Sequence, residues 1–551
     1  MFWRLGKLVL KNGAKSIKRF KSCHACGVPL QSRDSLKSGY YTPPKASPVS
    51  SKNAQLGDLR ELKYLLFSQD LRSLQRPNNT SDFMAEETDH LKPTNKLVCK
   101  RCSDALHQNR HNAEDFRPFS APEVCKHIPK DADVFHILPL AQFPLNFDSG
   151  LFLDPTYNAS LLLSKGDQVT PDKAVLQRKA PPFFNDFLRT TLGVVSNKAV
   201  AFSATQNWNV QSVYSMLRGK SYLLGSPNSG KSTLINALLK RYGGYKYSES
   251  VAPREFKSPT NLVLQEGAGV SHIPNMTRNL QTYQIGEKKV NDLPGYSQNV
   301  ENTPLDTFLE AKVLEKIRKT HLFTKSKLVR QKYTSVKGTD YGRCYTVSGI
   351  FYLVPPPGTI NQVVNYIPGN EKQYHDIDKA LSVAFNELNS NEGGALKQYV
   401  GVAKHMGSKD NYVRHVIPPF QGTVEIVMKD IGYFQLKATG KYHFSGLYEI
   451  WLPKGIEIII REPIVRLIEQ GFETHLESQG KKSAFPEKRP VFSSTYPMDV
   501  NEPDTLTKMK DMFLERTSND IMSRRLIHHD PMDIVGQLQN NLPNLYWYYK
   551  W

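Results

Sequence analysis

Apolar residues in this chain fall into short runs of two kinds. SYLL (221–224), ASLLL (159–163) and AVAFS (199–203) have the length of strands and no polar face, so each predicts a buried strand. STLINALLK (232–240) follows SYLL across a glycine-containing turn and spaces its apolar positions as an amphipathic helix does. Beyond residue 420 the period changes to two. TVEIVMK (423–429) alternates, YEIWL (448–452) and GIEIII (455–460) follow, and Gly/Lys turns separate them. These runs predict a small antiparallel sheet or barrel, with Tyr433, Phe434, Tyr442 and Phe444 as exposed aromatics nearby. Aromatics interleaved with lysine can stack on single-stranded RNA, although packing into a β core is the commoner use. No run reaches the ~18–20 apolar residues of a membrane-spanning helix.

Length and composition narrow the picture. The 551 residues suffice for about three or four domains. A hydrophobic content of 39% is too high for a mainly disordered chain. Lys and Arg (72) exceed Asp and Glu (52) by 20, which favours a polyanionic partner such as RNA or an anionic membrane surface. The excess begins at once, since the first acid in the chain is Asp34. Before it, Arg4, Lys7, Lys11, Lys15, Lys18 and Arg19 are spread among apolar residues. On a helix these give one basic and one apolar face, the composition of a mitochondrial transit peptide at 1–21. That address places the mature protein in the mitochondrion, in the matrix. The alternative is an ordinary basic helix that binds RNA or a membrane surface.

Six cysteines are too few for a disulfide scaffold of this size. Four of them form two CxxC pairs, Cys23/Cys26 and Cys99/Cys102, and each pair can present two thiolates to one face of a zinc ion. A polar insertion around one short helical segment, DLRELKYLLFSQD, separates the pairs. Unrelated thiols and a redox CxxC are the alternatives. His24, His107 and His111 read as surface histidines. A closed four-sulfur site would be structural, because no coordination position stays open for chemistry.

The sharpest motif is Gly225-Ser-Pro-Asn228-Ser229-Gly230-Lys231-Ser232, a GxxxxGK[ST] loop between a predicted strand and a predicted helix. Its backbone N–H groups and the helix N-terminus suit phosphates. Lys231 would reach the β- and γ-phosphates, Ser232 would ligate Mg²⁺, and Thr233 follows in the first turn. Upstream, Ser164-Lys165-Gly166-Asp167 offers a lysine to lie over a base and an acid to accept the guanine N1–H and amino protons, which adenine lacks. Asn197-Lys198-Ala199-Val200 has no such acid. Ser203-Ala204 can set a backbone N–H on the guanine oxygen. Downstream, Thr277 could reach Mg²⁺ as a switch threonine, Asp292 could serve the metal's second shell, and the N–H of Gly295 could meet the γ-phosphate. The order runs base, base, phosphate, switch, metal.

That order is a circular permutation of the GTPase domain, and the chain resembles the YqeH-type circularly permuted GTPases of the YlqF/YawG group. CHACGVPLQSRD and LVCKRC look like that family's CxxCGxxxQ and CxRC knuckles. The resemblance covers about residues 22–305. It implies an α/β, circularly permuted P-loop GTPase domain at 113–305, behind a four-cysteine zinc finger at 22–112 and before an α+β region at 306–551. It also implies GTP hydrolysis coupled to assembly of the small ribosomal subunit, with GTP, Mg²⁺ and structural Zn²⁺ bound. Fungal mitochondrial members further imply a genetic link to prohibitins and mitochondrial lipid metabolism, which no residue here displays.

Two departures from the pattern carry expectations. Ser164 replaces the usual Asn, so a side-chain tie between the base loop and the phosphate loop should be lost. Tyr296 stands where Ras-like enzymes keep a water-orienting Gln, so intrinsic hydrolysis should be slow and need a partner or K⁺, for which Asn228 is a candidate ligand. After Gly295 the chain leaves the nucleotide domain and enters 312–332, where Lys312, Lys316, Arg318, Lys319, Lys325, Lys327, Arg330 and Lys332 face one acid, Glu315. The run is either an RNA-phosphate contact or a solvated helix face. The aromatic tail 541–551 would dock on the body or on a partner. Two functional readings follow: a mitochondrial GTPase on rRNA or the small subunit, or a nucleotide-regulated non-catalytic scaffold peripheral to the inner membrane. An ATP-dependent RNA enzyme is disfavoured by Asp167.

Overall fold

The computed structural model describes residues 22–35, 37–42, 97–108, 116–194, 198–243, 267–270, 273–297, 305–318, 325–390, 394, 396–417, 422–439, 447–486 and 491–500. The expected presequence, the helical segment of the insertion, Tyr442, Phe444, Lys319 and the aromatic tail lie outside these. The chain divides into two compact units, residues 1–111 and residues 112–551. In the first, Ser22 bridges to Pro29 and Gln31 to Tyr40, and the helix Lys100–Gln108 begins directly after Cys99.

The second unit is mixed α/β. Its first sheet has six strands in the spatial order Ala199–Ala201, Tyr157–Ser164, Ala132–Pro139, Lys220–Leu224, Lys288–Asp292, Gln281–Ile285. The first five are mutually parallel, and the last closes an antiparallel hairpin. The inner parallel strands carry runs of apolar residues, such as Leu161–Leu163 and Tyr222–Leu224, because both faces are covered. Leu161 and Leu163 pack with Phe183, Phe184 and Phe187 of the helix Ala180–Leu192, while Leu162 packs with Leu234, Ile235 and Leu238 of Lys231–Tyr242.

The C-terminal part is larger than the alternating pattern predicts. Two six-stranded antiparallel sheets share one core, with Phe351 stacked on Phe434 at 4.8 Å. One is built around Gly422–Met428 and Gly432–Thr439, the other around Tyr448–Pro453 and Tyr412–Ile417. Tyr433 and Phe434, expected to be exposed, are both buried. Neighbouring residues on a strand point to opposite faces, and here each face is covered. Phe434 enters the core between the two sheets, and Tyr433 enters the core shared with Ala180–Leu192 and Ile464–Glu477. The same geometry explains the unbroken run of Ile458, Ile459 and Ile460, whose middle member faces that second core.

One buried charge joins the sheets to the turn after the parallel strand Ala132–Pro139. Arg461 has no exposed surface and sits opposite Glu425 in the strand register. Its Nε donates to Glu425 Oε2 at 2.9 Å, its Nη2 donates to the Ala141 carbonyl at 2.9 Å, and its Nη1 donates to the carbonyls of Leu140 and Phe143. Glu425 also accepts from the Ile464 N–H and from Gln435. Phe143 then packs edge-to-face against Phe184, Phe187 and Phe492 at 5.0–5.8 Å.

In the basic run, Arg318 is tucked against Asp306 at 2.7 Å, whereas Lys312, Lys316, Arg330 and Lys332 are exposed. Among the described residues no helix is long and apolar enough to cross a membrane. Removing one member of a buried pair leaves an unmatched charge, so Glu425→Ala is expected to cost about 3–5 kcal/mol in urea unfolding. A loss below about 1 kcal/mol would show that the pair does not hold these parts together.

Candidate functional site

The cysteine unit brings its four sulfurs together. Cys23, Cys26, Cys99 and Cys102 are buried, and their Sγ atoms all lie within 4.8 Å of one another. Cys26 and Cys99 are 3.9 Å apart, against about 3.8 Å for two sulfurs held at 2.3 Å from a tetrahedral zinc ion. The four thiols therefore fit such an ion. The turn after the first pair is set by Gln31, whose Oε1 accepts from the N–H groups of Arg33 and Asp34 and whose Nε2 donates to the carbonyls of Asp34 and Lys37. The thiols titrate as a group. Hydrogen bonds from Cys102, Cys26 and Cys99 hold Cys23 below the ordinary thiol range, and hydrogen bonds with Cys23, Cys26 and Cys99 push Cys102 above it. One zinc per chain is expected by elemental analysis, and Cys99→Ser should lose it. Retention of full zinc by that variant would place the metal elsewhere.

The second site lies at the C-terminal ends of the parallel strands, where loops from four of them converge. Residues 225–232 link the strand Lys220–Leu224 to the helix Lys231–Tyr242. A Cβ on Gly225 would stand 2.2 Å from the Ile137 carbonyl oxygen, so only glycine lets the loop turn over that strand. Asn228 and Gly230 take left-handed backbone. Lys231 folds back into its own loop, its Nζ donating to the carbonyls of Gly225 at 3.0 Å and Ser226 at 2.9 Å. Ser232 Oγ donates to Asp292 Oδ2 at 2.8 Å, while Asp292 Oδ1 is buried and meets no partner among the described residues. Burial pushes Lys231 down to about 8, against the pull of Asp292, and pushes Asp292 up to about 6, against Lys231 and Ser232. Gly295 passes the loop so closely that a Cβ would meet Pro227 at 2.9 Å. Thr233 is half-buried in the first helical turn.

The expected base-reading residues lie on adjoining loops. Ser164 ends its strand with the hydroxyl donating to the Ser229 carbonyl at 2.5 Å. The expectation that serine loses this tie is thus corrected: the strand end approaches the 225–232 loop closely enough for the shorter side chain to span the gap. Lys165 takes left-handed backbone, and burial lowers its ammonium against the opposing charges of Asp430 and Asp167. Asp167 Oδ2 accepts from Thr205 at 3.3 Å, and its Oδ1 is buried without a partner among the described residues. Gly166 N–H donates to the Phe202 carbonyl, which joins this loop to Ser203 and Ala204. Ser203 N–H is committed to the Trp208 carbonyl.

Among the described residues, Ser232 and Asp292 are hydrogen-bonded to each other and no hydrogen bond joins Thr277 to either. Tyr296 is buried, its hydroxyl donating to Asp148 at 3.1 Å. Sequence reasoning missed Asp148 and Thr205. Thr205 follows Ser203-Ala204 closely enough to have been found, whereas Asp148 and Tyr296 are 148 residues apart and share no local signal.

Fold and sites thus define a mixed α/β protein with a four-cysteine metal-type cluster and a polar site at the strand ends. Family models for the N-terminal and C-terminal domains of genetic interactor of prohibitins 3 match residues 22–116 and 331–537. A relative from Lachancea thermotolerans is 60% identical over 533 residues, covering 97% of this chain and 96% of the relative. Relatives from Zygosaccharomyces rouxii (45% over 545 residues, covering 97% and 95%) and Saccharomyces cerevisiae (44% over 542 residues, covering 96% of each) are similar along their length. All three are described as "Genetic interactor of prohibitins 3, mitochondrial". The chain belongs to the genetic interactor of prohibitins 3 family.

Proposed function

We propose that this chain is a mitochondrial GTP-binding protein, a slow GTPase that acts in assembly of the mitochondrial small ribosomal subunit. The observation that carries the reading is the set of three contacts joining four strand ends at one sheet edge: Ser164 tied to Ser229, Asp167 beside the Ser203-Ala204 loop, and Ser232 bonded to Asp292. Two buried carboxylate oxygens, on Asp167 and Asp292, face this region unpaired, and the glycine-lined loop lies between them in the chain. GTP and Mg²⁺, when bound, supply the phosphoryl group and the charge that neutralises it.

The residues divide the remaining work. Asp167 accepts the guanine N–H donors, Lys165 covers the base face and Ala204 offers its N–H. Gly225, Asn228, Ser229, Gly230, Lys231 and Thr233 hold phosphates, with Asn228 a candidate K⁺ ligand. Ser232, Thr277 and Asp292 serve the magnesium ion, and Gly295 faces the γ-phosphate side. In this reading 1–21 is the presequence, 22–112 the zinc finger, 113–305 the nucleotide domain and 306–551 the partner-binding region. The relatives' printed names support a mitochondrial location and a link to prohibitins, and the exposed Lys312, Lys316, Arg330 and Lys332 suit rRNA phosphates. A matrix site of action follows from the ribosomal reading.

Burial of Tyr296 on Asp148 favours a second reading. A side chain so held cannot orient a water, and a domain without another activator acts as a GTP sensor in a prohibitin-linked scaffold at the inner-membrane surface.

Nucleotide titration of the purified chain is expected to prefer GTP over ATP, and Asp167→Ala should weaken GTP by about 100-fold, the equivalent of two lost charge-assisted hydrogen bonds. Turnover should rise in K⁺ over Na⁺ and vanish with Lys231→Ala. Equal affinity for ATP and GTP would sink the base assignment, and GTP binding without turnover would move the protein to the sensor reading. Acid should also matter. Protonation of Asp292 as pH falls through about 6 removes a metal-side anion, so Mg²⁺-dependent nucleotide affinity should drop between pH 7 and 5. Asp292→Asn should be weak and flat over that range.

A further inference from the structure

The segment 116–120 follows the cysteine unit in the chain and touches both edges of the candidate nucleotide site. On one edge, Asn275 Nδ2 donates to the Phe116 carbonyl at 2.8 Å, and Arg278 Nη1 donates to the Arg117 carbonyl at 2.7 Å. The Arg278 guanidinium also lies over the Phe119 ring, 4.3 Å from its centroid. Thr277, the candidate switch threonine, stands between these two anchors in sequence. On the other edge, Phe119 and Ser120 pair in parallel with Tyr296 and Ser297, directly after Gly295. The segment is itself anchored. Glu123 accepts from the Ser120 N–H at 2.9 Å and caps the short helix Ala121–Cys125, whose Val124 is buried beside Tyr296.

These contacts come from different parts of the chain and are of different kinds: side chain to carbonyl, cation to ring, and strand to strand. None of the expectations drawn from motifs concerns residues 116–120. An ordinary loop would satisfy its backbone locally or with water. This one places its carbonyls on Asn275 and Arg278 and its strand edge on Tyr296–Ser297, so neither neighbour can shift by a few ångström without breaking a contact or carrying the segment along.

We infer that residues 116–120 form a clip that makes the two candidate switch segments, 273–280 and 295–297, move as one unit. The inference rests on the nucleotide-site reading for what drives the motion. Arg278 and Phe119 are positioning residues in it, acting through the backbone that bears Thr277.

Hydrogen exchange on the full chain tests the clip. Samples carry GDP or a non-hydrolysable GTP analogue, and affinity for both is measured separately by calorimetry. In the unaltered chain, replacing GDP by the analogue should change exchange at 116–120 and at 296–297 together, by about fivefold or more and in the same direction. In Arg278→Ala the response at 273–280 should persist, while that at 116–120 and 296–297 shrinks at least about threefold. Phe119→Leu, which keeps apolar packing but removes the ring face, should do the same. It serves as the second variant if Arg278→Ala unfolds. Unchanged exchange at 116–120 in a chain that binds both nucleotides would overturn the clip and leave the nucleotide reading standing. Full coupling in both variants would also overturn it. A chain that binds neither nucleotide overturns the reading itself, and the clip falls with it.

Discussion

A guanidinium with no exposed surface must be matched group by group, because removing it from water costs several kcal/mol that only close partners offset. Arg461 finds those partners in two places: Glu425, opposite on the neighbouring strand, and the carbonyls of Leu140, Ala141 and Phe143, 318 to 321 residues earlier in the chain. The turn after the strand Ala132–Pro139 buries Leu140, Ala141 and Phe143, and Arg461 supplies donors to their carbonyls. The sheet around Gly422–Met428 and the parallel sheet are thus specified together. With that junction set, Tyr433 reaches Gln168, its hydroxyl donating to the carbonyl at 3.2 Å, and the turn containing Asp430 faces the loop of Lys165. The C-terminal sheets therefore bear directly on the segment that carries Asp167.

The cysteine unit and the 225–232 loop obey a related constraint at smaller scale. Both collect polar groups away from water and pair several of them internally before any ligand is considered. Gln31 saturates one turn with both ends of its amide. Lys231 saturates another by returning to the carbonyls of its own loop, which leaves its charge beside that of Asp292. Such preorganisation is what a site for anions or cations requires, since the cost of arranging the groups is met in folding.

Legibility in the sequence followed how local each determinant is. The strand and helix flanking residues 225–232 were readable because periodicity and a glycine turn are properties of neighbouring residues. The cysteine pairs were readable because a knuckle is four residues long. The Ser164 tie was misread, since whether a hydroxyl can replace a carboxamide depends on a gap between backbones 65 residues apart. Tyr433 and Phe434 were misread because alternation shows two faces but not what covers them. Strands such as Glu371–Tyr374, with no buried residue, carry almost no hydrophobic pattern, and so this edge of the second sheet stayed hidden.

Synthesis runs in one direction, and the Arg461 junction spans most of it. The carbonyls at 140–143 leave the ribosome long before the residue that neutralises them, whereas Ser164, Ser229 and Asp292 are all complete well ahead of it. The parallel sheet can therefore assemble early, yet its turn at residues 140–143 must stay hydrated, or be sheltered by another protein, until the chain has grown past residue 461. A fragment ending between those points would carry the strand-end residues without the guanidinium that supports the turn beside them.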